Sequence, residues 1–373
     1  MGMRRQESET YFMPITLNDD LSTIQTDPMT LKFDHLRHML TNIGIWQHGA
    51  GDHPNPRHGY SIDDEARGLI VGLRHWQHGV ETEFNARMSA ITFDFIKAAA
   101  SSNGNCTGLF HNFCDADGNW LDSIGSTDSF GRTLWGLGVA HQVNAPFAPR
   151  AAINALITCS LPRIDDLVPL RSKAFSLLGL AYARIDDVRL HRLANDLCDA
   201  YEATASDDWR WFEDGMTYCN ARLPQALLVA ATQFPEQTRW ARIGAESLDF
   251  LLKITRNEQG GYSPIGNQHL TERPWFARGE KHPPLFDQQP VDAGALVEAC
   301  VEAAHITDEP RFRRAARAAF GWYFGLNVHC IPVYNTETGG VGDALTPTGV
   351  NRNQGAESVL SVHLAHLALQ TLE

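Results

Sequence analysis

Apolar positions along this chain follow two helical rhythms that alternate. Six segments are apolar or small-sided all round, and a polar or acidic loop introduces each one. They are HGYSIDDEARGLIVGL from His58, GSTDSFGRTLWGLGVA from Gly125, DLVPLRSKAFSLLGLAYA from Asp166, EDGMTYCNARLPQALLVAA from Glu213, FDQQPVDAGALVEACVEAA from Phe286 and NRNQGAESVLSVHLAHLAL from Asn351. Between them run charged segments with a single apolar stripe, such as DVRLHRLANDLCDAYEATA from Asp187 and RFRRAARAAFGWYFG from Arg311. A helix apolar on every side must be covered on every side, whereas a striped one can face water. Six of each in alternation predict a closed double ring of helical hairpins, an all-α (α/α)6 toroid. Such a ring collects the polar starts of its inner helices at one mouth.

The pattern spans nearly the whole chain, so residues 26–373 read as one toroid domain preceded by an N-terminal extension, 1–25. The first outer helix is expected over LKFDHLRHMLTNIG and the second over ETEFNARMSAITFDFIKAAA, with the long loop WQHGAGDHPNPRHGY between them. Loops of that length inside a compact domain are usually functional. Three strand-like excursions fall on outer-to-inner connections and would deepen the mouth: CTGLFHNFCDADGNWLDSIG, GGYSPIGNQHL and HCIPVYNTETGGVGDALTPTGV. The first has aromatic alternation about an Asp-Gly turn and reads as a β-hairpin.

Charge narrows the partners. With 31 basic and 44 acidic residues the net charge is -13, which repels phosphate backbones and anionic lipid, so neither nucleic acid nor membrane is an expected partner. The opening has two arginines but no apolar stretch after them, and no uncharged run reaches the roughly 18 residues that cross a bilayer. A cytoplasmic location is therefore expected. Four of the seven cysteines (Cys159, Cys198, Cys219, Cys300) fall in expected helices and read as reduced, buried small hydrophobes. No CxxC pair or His/Cys ligand spacing occurs, so neither a metal nor a cofactor is called for. The run Asp115-Ala116-Asp117-Gly118-Asn119 lacks the glycine and glutamate positions of a calcium loop and reads as a hairpin turn.

The chemistry lies at the inner-helix starts. His58, Tyr60, Asp63, Asp64 and Arg67 form the first cluster. Ser61 with Asp64 suggests a capping box, and acids in a first turn also gain from the helix dipole, so capping competes with catalysis there. The second cluster alternates aromatics and charges: Trp209, Trp211, Glu213, Asp214, Tyr218, Asn220 and Arg222, with Thr217 expected to cap the helix. Indole faces stack on sugar rings, and carboxylates, amides and guanidinium groups bind their hydroxyls. Two tryptophans packed between the rings would be the plainer explanation. In the third cluster, Gln288 precedes Pro290, Asp287 is the expected cap, and Asp292 lies one turn inside an alanine-rich helix, where a carboxylate is costly unless paired or facing water. Asn353, Gln354 and Glu357 repeat that arrangement, and Asp128 completes the set.

The alternating twelve-helix pattern with acids at the inner starts resembles the six-hairpin glycosidase superfamily over about nine-tenths of the chain. More narrowly, HGYSIDDEAR, WRWFEDGMTYCNARLPQALL, FDQQPVDAGALVEA and NQGAESVLSVHLAHL are similar to a bacterial family described as glycosyltransferase-like. The resemblance implies carbohydrate chemistry. The residues suggest a glycoside hydrolase acting on a short oligosaccharide, with Glu213 or Asp214 as general acid and Asp64 or Asp292 as base. Two other readings compete. A sugar epimerase or isomerase would need two of His58, His111, His269 and His282 to converge across the cavity. A non-catalytic sugar-binding protein would offer stacking aromatics without a carboxyl pair. A phosphorolytic variant would draw on Arg67, Arg132, Arg222 and Arg352.

Overall fold

The structure, a computed structural model, describes residues 30–102, 105–267 and 274–373; the expected extension 1–25 and His269 lie outside them. Twelve α-helices follow one another within the described residues: α1 (Asp34–Met39), α2 (Ile62–Gln77), α3 (Thr82–Ala99), α4 (Thr127–Val143), α5 (Arg150–Ile164), α6 (Leu170–Ala183), α7 (Asp187–Thr204), α8 (Arg222–Gln233), α9 (Thr238–Thr255), α10 (Pro290–Thr307), α11 (Pro310–Phe320) and α12 (Ala356–Gln370). Even-numbered helices pack neighbour on neighbour, α2 on α4, α6, α8, α10 and α12 in turn, and α12 returns to α2. Odd-numbered helices cover them from outside: α3 on α2, α5 on α4, α7 on α6, α9 on α8, α11 on α10 and α1 on α12. This is the (α/α)6 toroid.

Side-chain burial separates the two rings. Phe175, Leu177, Leu178, Leu180 and Ala181 of α6 point in different directions, yet all are buried. Outer α7 instead buries one stripe, Leu190, Leu193, Ala194, Leu197, Cys198 and Tyr201, and leaves its other face wet. Fully burying each large aliphatic side chain stabilises the fold by about 1.5–3 kcal/mol, so the paired rings hold each other in place.

Close approach of inner helices depends on small residues. A Cβ on Gly138 would stand 2.2 Å from the Gly179 carbonyl oxygen, and one on Gly179 would stand 2.4 Å from that of Leu134. Both obstacles are backbone, so α4 and α6 touch main chain to main chain along this seam.

Loops at the mouth are laced together around the ring. Tyr60–Ser61 pairs with Phe113–Cys114, joining the approaches to α2 and α4. Gly215–Met216 pairs with Phe276–Ala277, joining those to α8 and α10. Gln288 bridges Leu345 before α12, and Ala344–Thr346 pairs with Gly349–Asn351 as a hairpin. Gly59 has φ +61°, and a Cβ there would fall 2.0 Å from the Cys114 carbonyl, so the first of these pairings requires glycine. The Asp115 turn closes locally, with its carboxylate accepting from the Asp117 and Asn119 amides.

Several local expectations are corrected. The first outer helix is only Asp34–Met39, because the Thr41 hydroxyl accepts from the amides of Ile43 and Gly44 and turns the chain. Ser61 is the N-cap of α2 but makes no side-chain cap bond. Thr217 does not cap α8, which starts at Arg222; the Asn220 side chain bonds both backbone groups of Thr217 and builds a turn ahead of the helix. That turn holds Cys219 outside any helix, at φ +48°. Asp287 is not the cap of α10, whose N-cap is Gln289 with Pro290 following.

Gly179→Ala should destabilise the protein by about 2–3 kcal/mol despite alanine's better helix propensity, because backbone cannot yield. Gly68→Ala meets first the flexible tip of Ile45 and should cost less. Thermal unfolding of the two variants compares them; a Gly179→Ala melting point at or above that of Gly68→Ala would contradict the seam.

Candidate active site

All six inner-helix starts open into one cavity of about 600 Å³. Asp63 comes from α2, Ser126, Thr127, Asp128 and Arg132 from the start of α4, and Pro169, Arg171 and Ser172 from that of α6. Tyr218 and Cys219 precede α8, Gln289 and Val291 begin α10, Glu357 begins α12, and Asn267 and Trp275 lie on the loop before α10. The volume falls within the range of about 300–1,000 Å³ typical of small-molecule sites.

Two buried arginines bridge acids from neighbouring helices. Arg132 Nε lies 2.9 Å from Asp128 Oδ2 and 3.7 Å from Asp63 Oδ2, and its guanidinium rests 4.4 Å from the Phe175 ring centre. Arg67 donates to Asp64 Oδ1 at 2.9 Å and to Glu357 Oε2 at 2.5 Å. Buried charges persist only when paired and hydrogen-bonded, so these bridges let acids cluster at one mouth. On the other side, Arg171 Nη1 stands 3.6 Å from Glu213 Oε2, with the guanidinium 5.0 Å from the Tyr218 ring centre.

Asp292 differs from the bridged acids. Its Oδ1 accepts from the Cys219 amide at 2.6 Å, and among the described residues its buried Oδ2 has no hydrogen-bond partner and no ion pair reaches it. Burial pushes its pKa up to about 7, opposed mainly by the Cys219 N–H. Burial also raises Asp64 to about 7, against the pull of Arg67, and raises Asp63 against Arg132. Asp63 Oδ1 and Asp128 Oδ1 are likewise buried and accept no hydrogen bond from the described residues.

The expected site residues divide accordingly. Asp63, Asp128, Tyr218 and Glu357 line the cavity. Arg67 and Asp292 bond to residues at its wall, Asp64 bonds Arg67 behind it, and Glu213 stands 3.6 Å from Arg171 of the lining. Asp214 is a correction: its side chain is 80% exposed and pairs with Arg278 on the surface. Trp209 and Trp211 are corrections too. Trp211 is fully buried against Phe212, and Trp209 packs against Phe250 and Phe276 while donating to the Glu213 carbonyl. Arg222 lies in the ring's core, bonded to Gln225 and Glu298 with its guanidinium over Trp135. Asn220 builds the turn already described. Gln288 is buried between Trp322 and the Leu285 carbonyl. Tyr60 is buried, stacked on Trp46 and bonded to Thr41. His58 stands edge-on to His48, Asn353 accepts from the Gly51 amide, and Gln354 packs over Gly340. Arg352 lines a separate surface pocket.

Sequence reasoning missed Arg171 and Trp275. A cation at the second position of a helix opposes the helix dipole, and that misfit is the signal Arg171 offered. Trp275 is carried to the mouth by the Gly215–Met216 pairing with Phe276–Ala277, which no local pattern announces. Histidines line no part of the cavity among the described residues. His111 stacks on Trp120 and bonds the Asp122 carbonyl, and His282 lies on an exposed loop. No described helix is long and apolar enough to cross a membrane.

No family model and no curated protein sequence matches the chain. Solved structures do. A sugar epimerase from a ruminal bacterium aligns with TM-score 0.70 at 10% identity, over 93% of this chain and 98% of its own. A D-mannose isomerase aligns at 0.68 and 10% identity, over 91% and 96%. The GH76A α-1,6-mannanase of Salegentibacter sp. HEL1_6 aligns at 0.59 and 12% identity, over 91% and 96%. At such identities the likeness is one of fold, and it establishes the toroid.

The Asp292 environment has a consequence for stability. Its carboxyl stays protonated in the folded state from its ordinary value of 3.8 up to about 7, while the unfolded chain has already released that proton. Its contribution to stability therefore falls as pH rises from about 4 to 7. Asp292→Asn should gain melting temperature relative to the parent across that window, and the difference should be level on either side; a pH-independent difference would contradict the assignment.

Proposed function

We propose that the chain is a carbohydrate-active enzyme that cleaves a glycosidic bond of a short saccharide in the mouth cavity. The observation that carries the reading is the contrast between Asp292, buried behind the cavity wall with Oδ2 unbonded and no ion pair among the described residues, and the arginine-bridged acids that line the cavity. Glycoside hydrolysis needs such a contrast: one protonated carboxyl gives its proton to the leaving oxygen, and one carboxylate activates water.

Asp292 takes the acid role, because burial keeps its proton and Oδ2 has no competing partner. Glu357 takes the base role: its charge is anchored by Arg67, and its side chain is 42% exposed, open to water. This reverses the expected part of Asp292, and Asp64 becomes the residue that orients Arg67. Tyr218 and Trp275, 6.2 Å apart at their ring centres, supply the apolar platform expected of Trp209 and Trp211. Asp63, Asp128, Arg132 and Asn267 then face the sugar hydroxyls. Inversion, in which carboxyls about 6.5–9.5 Å apart admit a water, is the stereochemistry proposed for this pair.

The fold neighbours named as sugar epimerase and isomerase favour a second reading, proton transfer at a sugar carbon, on the same cavity. The carboxyl arrangement supports cleavage over that reading.

A panel of disaccharides, followed by anomeric proton NMR, separates them: cleavage releases two monosaccharides, whereas epimerisation leaves the disaccharide intact with a changed reducing sugar. On a cleaved substrate, Asp292→Asn and Glu357→Gln should each lose about 10²–10⁴-fold in kcat. Asp214→Asn should retain near-parental activity. Full activity in both Asp292→Asn and Glu357→Gln would eliminate the assignment.

A further inference from the structure

The cations at the mouth are not equally used. Arg132 is engaged by Asp128 and Asp63, and Arg67 by Asp64 and Glu357. Arg171 lines the cavity with a side chain only 14% exposed, yet its one ion-pair partner, Glu213, stands at 3.6 Å, beyond hydrogen-bond reach. Its Nη1 is buried and donates to nothing. A guanidinium presents five donors in a planar fork, and leaving those of Nη1 unbonded away from water is costly. The aromatic face of Tyr218 beneath it supplies attraction but accepts no such fork.

Neutral donors surround the same corner. The Ser172 hydroxyl donates to Thr127 Oγ1 at 3.0 Å, which leaves the Thr127 hydroxyl hydrogen free, and both residues line the cavity. No side chain caps the start of α6 at Pro169, so its first amides add partial positive charge there. Arg171 carries its charge at the end of the helix where a cation is unfavourable, which makes the corner more positive still. The rest of the lining carries Asp63, Asp128 and Glu357, with Arg132 held between the first two.

Resting on the cleavage reading above, we infer that the substrate is an acidic saccharide whose sugar carboxylate docks on Arg171, with Thr127 and Ser172 beside it. A planar carboxylate matches the guanidinium fork with two parallel hydrogen bonds. Its single charge complements Arg171, whereas a phosphate dianion would bring a second charge into a cavity lined by Asp63, Asp128 and Glu357.

Isothermal titration calorimetry on the full chain tests this with D-glucuronate, D-galacturonate and D-mannuronate against glucose, galactose and mannose, and with glucose 6-phosphate and inorganic phosphate. At least one uronate should bind about tenfold or more tightly than its neutral counterpart. Arg171→Gln should bring that ratio close to one, Arg171→Lys should keep part of it, and Arg278→Gln, on the surface pair with Asp214, should leave it unchanged. Melting curves confirm that each variant is folded. The inference is overturned if no uronate binds, if none is preferred, or if the preference survives Arg171→Gln. Tighter binding of either phosphate than of any uronate, dependent on Arg171, overturns the carboxylate assignment. Cleavage is scored separately: an Arg171-dependent uronate preference without cleavage of any uronide removes the proposed reaction and leaves the docking group standing, and cleavage of neutral disaccharides alone does the reverse.

Discussion

Closing six fully buried helices into a ring forces their starts into one basin, and the arginines beneath that basin make the crowding tolerable. Acids from α2, α4 and α12 would repel one another at this range. Arg132 and Arg67 answer by spanning adjacent helices, one tying α4 to α2, the other α2 to α12. Each bridge satisfies carboxylates and also fixes the rotation of two helices about their axes. The arrangement thus couples the electrostatics of the mouth to the packing of the ring. Across the basin the Asp292 bond to the Cys219 amide performs the same mechanical task between α10 and the approach to α8, but with no cation. A carboxyl placed to hold a backbone turn is thereby left holding a proton.

That division gives the cavity its chemical character. Arginine-bridged acids line the basin, and behind its wall stands a carboxyl whose pKa burial raises to about 7, with no cation bonded to it among the described residues. The turn that carries the Cys219 amide is also strained, with Cys219 in a left-handed conformation at φ +48°. Sites where substrates must be gripped and charges redistributed are where such strain is tolerated. The mouth loops, laced by short strand pairings, give this turn the support it needs.

How much of this was legible in the sequence follows from which interactions are local. Alternation of helices buried all round with striped helices is a property of each segment alone, so the ring and its order could be read directly. Acids in the first turn of α2, α4, α10 and α12 are equally local, and Asp63, Asp128 and Glu357 all reach the cavity. The aromatic run around Trp209 was ambiguous because indole suits a core as well as a sugar platform, and the pairing of Gly215–Met216 with Phe276–Ala277 turned those rings inward while bringing Trp275 to the mouth. Asp214 and Glu213 are adjacent in sequence, and only tertiary partners, Arg278 for one and Arg171 for the other, assign them to opposite surroundings. The role of Asp292 was open for the same reason. Whether a carboxyl is acid or base depends on what stands within a few ångströms of it, and its neighbours come from other helices.

The account rests on the basin being where a saccharide is held for chemistry. A crystal structure of Asp292→Asn soaked with a saccharide that the parent protein cleaves addresses this most directly. The expected result places the sugar rings against Tyr218 and Trp275, with the glycosidic oxygen beside residue 292 and a water between Glu357 and the anomeric carbon. A sugar seated outside the basin, or inside it with the scissile bond remote from both residues, would contradict the account.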